Sequence, residues 1–414
     1  MSPKAIRVDQ SKKRRPLRLG LDTMMFWVVI ALLAFGLLML YSASWQYSVT
    51  IMGKEPSYML KRQFIWLLLG SAVAVFTFFF GYRRISKNLV VLGMIVMIIM
   101  LVLVIFYVNE VRLGARRGLF NGSIQPSELA KLMVIIYLAH WLNNHQAFLH
   151  KFSFGILPVS VILGISCSLI FLQPDLSAAI TILMIGGLMF FFAGGEMQHI
   201  MIAMFVALVV VAFAIFVIKT GEERISAYIL GLQDPSAASY HLQRSFEAIV
   251  KGGLFGVGIG RGNTKFTGLP VAPTDSIFSV IVEETGVLGA TVIIILFVLF
   301  LWRGFHIAKR APDMYGRLLA SGITVWIFLE AFVNMSVLVN LLPFAGNALP
   351  FISFGGSNLT MVLTGVGIIM SVARQTAIDN NEQEGRPLNA VVNLRRDDGR
   401  RHVSSPRRSS STGQ

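Results

Sequence analysis

The sequence has 414 residues, a formal net charge of +15 and a single cysteine. Hydrophobic residues make up 55% of the chain and charged residues only 14%, a balance that soluble globular proteins of this length do not have. A soluble protein is therefore excluded, and the composition predicts an all-α polytopic membrane protein. Because Cys167 stands alone within an apolar stretch, a disulfide framework and a cysteine-based metal site are excluded as well.

Ten apolar segments are predicted to cross the membrane, since the hydrocarbon core of a bilayer needs about 20 helical residues per span. The fourth (128–142) and the ninth (318–342) contain ionisable residues. The other eight contain no Asp, Glu, Lys or Arg: 24–45, 64–80, 88–106, 155–172, 176–193, 197–218, 285–302 and 358–373. The first segment is too long for the apolar part of a signal peptide and lacks a small-residue cleavage site, so it is predicted to remain as the first span.

Both ends of the chain are basic, with seven Lys or Arg before residue 24 and eight after residue 373. Basic segments stay on the cytoplasmic side of a membrane. Both termini are therefore predicted to be cytoplasmic, which an even number of spans requires. The positive charge is interpreted as a device for orientation and for attraction to anionic membrane lipid, rather than as a nucleic-acid site.

This topology divides the chain into three regions. Residues 1–22 are a basic cytoplasmic arm, residues 23–375 are the ten-helix membrane domain, and residues 376–414 are a Ser- and Arg-rich tail that is predicted to be disordered. A large extracytoplasmic loop, 219–276, connects spans seven and eight. Polar, glycine and proline residues concentrate on the outer face, where we expect the chemistry.

The stretch IQPSELAKL (124–132) begins the fourth span. Pro126 and Ser127 are typical of a helix start, and Glu128 in the first turn suits the helix dipole. Lys131 follows Glu128 by three residues, inside the membrane boundary. The two side chains either neutralise each other as a structural pair or mark a functional site, the usual meaning of ionisable groups at membrane depth.

The stretch KGGLFGVGIGRGNTKFTGLP (251–270) is rich in glycine. It lacks the preceding strand and the Gly-Lys-Ser/Thr ending of a nucleotide-binding loop, so a nucleotide site is excluded. It is predicted to be a flexible loop whose backbone N–H groups, with Arg261 and Lys265, approach an anionic headgroup.

Asp275 stands immediately before the apolar run SIFSVIV, and two interpretations are open. One is the N-cap of a helix and the other is a catalytic base, and the two are compatible because capping would hold the carboxylate still. A glycosidase-like pair with Glu283 is excluded, because eight helical residues separate the two by about 12 Å, whereas paired glycosidase carboxylates lie about 5 to 9.5 Å apart. A lone base suits a reaction whose leaving group needs no protonation.

The stretch LLPFAGNALPFISFGGSNLTMVL (341–363) interrupts the backbone between the last two spans with prolines and with the pair Gly355-Gly356. Such irregular backbone is tolerated at this depth only inside protein or along a wet cavity. Glu330 and Asn334, four residues apart on the preceding helix, either face that cavity or form a buried pair. No nucleophile-elbow motif is present, so a serine hydrolase is excluded.

Taken together, these motifs resemble the SEDS family of shape, elongation, division and sporulation proteins, FtsW and RodA. The resemblance rests on IQPSELAKL (124–132), QPDLS (173–177), the stretch 239–290 and LPFISFGGSNL (349–359), in this order among the spans. It implies a peptidoglycan glycosyltransferase that polymerises lipid II at the outer face of the bacterial cytoplasmic membrane, at the division septum if the chain follows the FtsW branch. It also implies a partner, a class B penicillin-binding transpeptidase, among other divisome or elongasome proteins.

The resemblance assigns Asp275 as the essential aspartate. The predicted substrate-binding residues are Arg117, Gln125, Glu128, Lys131, Arg261, Lys265, Ser353 and Ser357. The chain departs from the family pattern at Gly118, at Val271, where the family often has Glu, and at Ser276, where it often has Phe. The change at Val271 puts in doubt any role for a carboxylate there, and the change at Ser276 could alter the packing of Asp275.

The chemistry of a lipid-linked disaccharide diphosphate agrees with this assignment. The substrate carries its own leaving group, so the enzyme needs a base for the acceptor hydroxyl, cations for the departing diphosphate and a groove open to lipid. Asp275 is the predicted base. The predicted cations for the diphosphate are Arg117, Lys131, Lys265 and Arg261. Whether a divalent ion, Mg²⁺ or Mn²⁺, assists them is left open by the sequence. Two alternatives remain, a lipid II flippase and a non-catalytic division scaffold.

Overall fold

The structure is a computed structural model that describes residues 20–107, 124–151, 155–199, 201–202, 205, 219–234, 236, 238–343 and 345–384. Its helices, in chain order, are α1 (Thr23–Thr50), α2 (Tyr58–Phe80), α3 (Lys87–Tyr107), α4 (Pro126–Asn144), α5 (Ile156–Phe171), α6 (Leu176–Phe192), α7 (Lys219–Gln233), α8 (Tyr240–Gly252), α9 (Ile277–Arg310), α10 (Met314–Leu338) and α11 (Gly356–Glu384). Short 3₁₀ turns follow α2 (Tyr82–Arg84) and α4 (Gln146–Phe148). The predicted all-α class is confirmed for the part of the chain that the structure describes.

Six of the described helices are long and apolar enough to cross a membrane: α1, α2, α3, α9, α10 and α11. The helices α5 and α6 are apolar but shorter. The predicted seventh span, 197–218, lies largely outside the described residues, as do the arm 1–19 and the tail from residue 385. An integral membrane protein is confirmed, and the count of ten spans stays a prediction.

Two predicted regions contain more helix in the structure than the sequence indicated. The loop 219–276 is partly helical, since it contains α7 and α8. The helix α11 continues to Glu384, so helical structure extends beyond residue 375, where the predicted membrane domain ended. Arg83, in the 3₁₀ turn after α2, pairs with Asp379 at 2.7 Å and with Asp313 at 3.1 Å. These ion pairs tie the extension of α11 to the loops that follow α2 and α9.

Several helices begin at side chains that satisfy the free backbone N–H groups of a first turn. Asp22 accepts a hydrogen bond from Met25 N at 3.0 Å before α1. Asp313 accepts from Gly316 N at 2.7 Å before α10. These caps explain why the helices start where they do.

The helix α10 lies at the centre of the bundle, and α2 lies at its edge. In the most apolar 18 residues of each helix, 72% of α10 is buried inside the protein, against 17% of α2. The side chain of Trp326 on α10 is fully buried. Polar residues on α10 are therefore in a position to contact several helices at once.

The helix α9 is broken at Gly286, whose φ of 71° and ψ of −176° are not helical. A break leaves backbone groups without helical partners, and the glycine-rich loop supplies them. Val287 N donates to Gly253 O at 3.0 Å, and Val257 N donates to Glu283 O at 2.9 Å. The glycine-rich loop and the broken part of α9 therefore supply each other with backbone hydrogen-bond partners.

Candidate active site

The turn that contains Asp275 is held by its backbone. Three successive carbonyl groups, those of Pro273, Thr274 and Asp275, accept hydrogen bonds from another part of the chain. The donors are Phe354 N at 2.9 Å, Ser353 Oγ at 2.6 Å and Asn334 Nδ2 at 2.9 Å, respectively. The end of α10 and the stretch before α11 therefore fix where Asp275 stands, and its side chain is half-buried.

Asp275 is not the N-cap of α9. The cap position is Ser276, whose side chain makes no capping hydrogen bond. The Ser276 hydroxyl instead donates to Pro270 O at 2.6 Å and lies 2.7 Å from His241 Nε2. The N-cap interpretation of Asp275 is therefore wrong, since the helix starts one residue too late for it.

The glycine-rich loop is bound to two buried carboxylates, which corrects the prediction of a flexible loop open to an anionic headgroup. Glu283 accepts from the backbone N–H groups of Asn263 at 2.9 Å and Thr264 at 3.1 Å, and from the Thr264 hydroxyl. Glu284 accepts from Gly260 N at 2.9 Å. The N–H groups that were expected to meet a ligand thus bind anions of the protein itself.

Lys265 contributes to the same attachment. Its Nζ lies 2.5 Å from Glu284 Oε1 and 2.9 Å from Ser42 Oγ on α1, and only 2% of its side chain is exposed. Ser42 also donates to Glu284 at 2.7 Å. The ammonium group of Lys265 therefore already has an anionic partner, and the loop is tied to α1 as well as to α9.

A second buried network joins α4, α10 and α11. Lys131 Nζ pairs with Glu128 at 2.8 Å and with Glu330. Asn358 Nδ2 donates to Glu128 at 2.9 Å and to Glu330 at 3.2 Å. Glu128 and Lys131 thus form the predicted structural pair, extended by a second carboxylate. Asn334 does not join Glu330, because it turns to Asp275 and to Asn347 O.

The starts of α4, α6 and α11 are linked by polar side chains. Gln125 Nε2 donates to Asp175 at 3.3 Å, and Ser127 Oγ donates to the same carboxylate at 3.2 Å. Gln125 N donates to Ser357 Oγ at 2.9 Å. Together with the contact between Ser353 and the turn of Asp275, these bonds gather the N-terminal ends of α4, α6, α9 and α11 in one place.

This convergence has an electrostatic consequence. The N-terminal end of a helix carries about half a positive charge, from backbone N–H groups that lack helical partners. Four such ends at one side of the bundle favour an anion there, and Asp175 at the start of α6 and Glu128 in the first turn of α4 already supply two. Of the predicted cationic residues, Arg261 is exposed, Lys131 and Lys265 are buried in ion pairs, and Arg117 lies outside the described residues.

Three residues that position the site were missed or misinterpreted from the sequence. Gln63 at the start of α2 donates to Ser353 O at 3.1 Å and accepts from Gly355 N at 3.2 Å. His241 contacts Ser276, and Asn334 holds the carbonyl of Asp275. Only a polar side chain at the edge of an apolar run could have drawn attention to Gln63.

Gly286→Ala is expected to destabilise the protein by about 3 kcal/mol or more, from a positive φ combined with overpacking. An added Cβ would stand 2.3 Å from Leu254 O and 2.4 Å from Gly256 N, both backbone atoms that cannot move aside alone. Thermal unfolding in detergent measures the loss. The matched control is Gly164→Ala in α5, where a Cβ meets nothing within 4 Å and stability should not fall. Equal melting temperatures for the two variants would contradict this account of the kink.

Acidification is expected to destabilise the protein through His241. Burial lowers the pKa of this imidazole from 6.5 to about 4, so between these values the unfolded chain binds a proton that the folded chain does not. Stability is unaffected above pH 6.5 and falls as the pH drops towards 4, by up to about 3 kcal/mol. Unfolding followed at several pH values checks this. His241→Gln should flatten the dependence in that window, and an unchanged slope would refute the assignment to His241.

Comparison with known proteins adds a family likeness to this geometry. Residues 22–378 match the family described as "Cell cycle protein", which comprises FtsW, RodA and SpoVE. The chain is 37% identical over 360 residues to the "Probable peptidoglycan glycosyltransferase FtsW" of Geobacter sp. (strain M18), covering 86% of this chain and 97% of that protein. It is 34% identical over 358 residues to "Stage V sporulation protein E" of Bacillus subtilis (strain 168), with coverages of 85% and 97%.

Solved structures show the same fold. One, described as "Structural coordination of polymerization and crosslinking by a peptidoglycan synthase complex", contains a chain that is similar with a TM-score of 0.70 and 26% identity, covering 86% of this chain and 98% of that one. The rod shape determining protein RodA of Thermus thermophilus is similar with a TM-score of 0.64 and 26% identity, covering 87% and 99%.

Proposed function

Because the chain belongs to the family of the cell cycle proteins FtsW, RodA and SpoVE, we propose that it is a peptidoglycan glycosyltransferase. It polymerises lipid II into glycan strands at the outer face of the bacterial cytoplasmic membrane. The observation that carries the proposal is the turn of Asp275, where three hydrogen bonds to backbone carbonyls hold the segment that bears a half-buried carboxylate, at the gathered N-terminal ends of four helices.

In the proposed reaction Asp275 accepts the proton of the acceptor hydroxyl as that oxygen attacks the anomeric carbon of the donor sugar. The bond between this carbon and the diphosphate breaks, and the lipid diphosphate leaves with the bonding electrons. The negative charge that develops on the diphosphate is stabilised by the four helix N-terminal ends and by Arg261 and Arg117. No leaving-group acid is needed, which agrees with a single carboxylate in the turn.

The other predicted substrate-binding residues receive a supporting role in this proposal. Glu128 and Lys131 join α4 to α10 and α11, and Lys265 fastens the glycine-rich loop. Gln125, Ser353 and Ser357 bind neighbouring backbone or side chains. In this proposal these six residues hold in place the helices and the loop that surround the substrate. A divalent cation stays a prediction, since the described residues bring no three His, Cys, Asp or Glu side chains together as ligands.

The arrangement of helix ends supports ten spans. The starts of α4, α6, α9 and α11 lie at one end of the bundle, so α6 and α9 run in the same direction. The chain between them must then cross the bilayer an odd number of times, and the apolar run 197–218 supplies one crossing. With α9 as the eighth span and α11 as the tenth, both termini are cytoplasmic and Asp275 faces outwards, as the basic ends of the chain predict.

The proposed partner is a class B penicillin-binding transpeptidase, because crosslinking must follow polymerisation and a similar chain occurs in a peptidoglycan synthase complex. We place the activity at the division septum, since several similar proteins are named FtsW. Depletion of the protein tests this placement under the microscope. Filamentous cells support a role in division, and round cells would point to elongation.

The activity itself is tested with the full chain reconstituted with its cognate transpeptidase and supplied with labelled lipid II. Glycan chain length reports polymerisation, and a separate vesicle assay reports transfer of lipid II across the bilayer. The proposal expects glycan strands from the wild type. Transfer without polymerisation would instead identify a flippase, and neither activity would identify a scaffold.

A further inference from the structure

We propose that His241 is a positioning residue for Asp275 and acts through Ser276. The inference rests on the proposed function, in which Asp275 is the base. His241 belongs to α8, in the extracytoplasmic segment between spans seven and eight, whereas Asp275 and Ser276 precede α9. A link between them connects the helical part of that segment to the reacting carboxylate.

The positions of the protons in this link follow from chemistry. Ser276 is fully buried, and its Oγ lies 2.6 Å from Pro270 O and 2.7 Å from His241 Nε2. A carbonyl oxygen only accepts hydrogen bonds, so the single hydroxyl proton of Ser276 must point to Pro270. The hydroxyl oxygen must then accept from His241, which therefore carries a proton on Nε2.

The hydroxyl of Ser276 closes the turn at its base. Its bond to Pro270 O joins the first and last residues of the stretch 270–276. Within the stretch, Val271 O accepts from Thr274 N at 3.0 Å. Val271 itself has a φ of 50°, a strained value for a β-branched residue. A strained turn persists only when its surroundings hold it, and His241 holds the hydroxyl that closes this one.

Asp275 thus lies between two sets of anchors. The carbonyls of Pro273 to Asp275 are held by the end of α10 and the stretch before α11. On the following residue, Ser276 is held by His241 from α8. Without the imidazole N–H, the Ser276 hydroxyl loses a buried donor, and of the two sets of anchors only the bonds to the carbonyls of Pro273 to Asp275 keep their full strength. Small displacements of a reacting group lower the rate steeply.

The test compares three variants of the full chain, reconstituted with its transpeptidase and assayed with labelled lipid II. His241→Phe keeps a ring of similar size but has no donor, and its kcat should fall about tenfold with KM unchanged, the effect of losing one buried hydrogen bond. His241→Gln keeps an N–H donor and should stay within about twofold of the wild type. Ser276→Ala should resemble His241→Phe, and the double variant should be no worse than either.

Amide hydrogen exchange supplies a readout that is independent of catalysis. Exchange at Thr274 and Ser276, whose N–H groups point to Val271 O, should accelerate in His241→Phe and not in His241→Gln. A wild-type kcat together with wild-type exchange in His241→Phe would overturn the inference alone. Equal losses in the Phe and Gln variants would also overturn it, because they would indicate a general packing role. A wild type that does not polymerise would overturn the proposed function, and this inference with it.

Discussion

Asp275→Asn is expected to abolish glycan polymerisation, with a rate at least about a hundredfold below that of the wild type, the usual contribution of a general base. Asparagine has the size of aspartate but cannot accept the proton of the acceptor hydroxyl. The variant should still fold, because the three hydrogen bonds described above hold the turn through backbone carbonyls that the substitution retains. Rates of glycan synthesis from labelled lipid II, with the transpeptidase present, measure the effect.

A matched control lies in the same segment between α6 and α9. Asp234 is exposed and accepts hydrogen bonds from Ser236 N at 2.8 Å and Ser236 Oγ at 2.7 Å. Asp234→Asn keeps an acceptor at that position and should polymerise as the wild type does. Thermal unfolding of both variants separates a catalytic loss from a folding defect. Polymerisation by Asp275→Asn at the wild-type rate would remove Asp275 from the mechanism.

Lys131→Met is expected to destabilise the protein by about 3 to 5 kcal/mol, the cost of leaving a buried charge without its partner. The substitution removes the ammonium group and leaves Glu128 and Glu330, which are 7% and 2% exposed, as neighbouring buried carboxylates around the same site. Methionine fills a similar volume, so packing alone does not explain the loss. Thermal unfolding in detergent gives the measurement, and failure to express would be its extreme form.

Two further variants make this prediction specific to charge. Neutralising both acids as well, in Lys131→Met with Glu128→Gln and Glu330→Gln, should recover most of the lost stability. Lys61→Met removes an ion pair with Glu55 in which both side chains are largely exposed, 66% and 71%, and should change the melting temperature little. If Lys131→Met melted with the wild type, the network would have no structural role.

The two predictions separate the parts of the site. Asp275 is half-buried in the turn before α9, where its loss is expected to affect the reaction, whereas Lys131 is buried inside the bundle, where its loss is expected to affect the fold. The sequence had placed both among the functional residues of one site. In the structure Lys131 belongs to the network of α4, α10 and α11, whereas Asp275 belongs to the turn before α9.

Much of the architecture was predictable from the sequence, because a bilayer imposes a simple rule on it. Every backbone group within the hydrocarbon must be bonded inside the protein, and a helix does this within its own segment, so long apolar runs become helices. The all-helical class and the runs that form α1, α2, α3, α9, α10 and α11 were predicted for this reason. The pair Glu128 and Lys131 was also foreseeable, since three helical residues bring two side chains onto one face.

Other features depended on contacts between distant parts of the chain, which no local pattern shows. The sequence excluded Glu283 as a catalytic partner of Asp275 but gave it no other role, and in the structure Glu283 and Glu284 bind the backbone of the glycine-rich loop. Lys265 looked like a ligand for phosphate, yet Glu284 pairs with it. In each case a charged group had to be matched by a partner far away in sequence, because burial without one costs too much free energy.

The sequence by itself determined the six long apolar helices among the described residues and the position of Asp275 ahead of α9, since apolar length and position along the chain are local properties. The orientation implied by the basic ends stays a prediction. Only the tertiary structure decided how Asp275 is held, which ionisable groups are already neutralised within the protein, and that His241 from α8 reaches Ser276. Those outcomes depend on hydrogen bonds between residues tens to hundreds of positions apart, and such bonds exist only when the helices have packed.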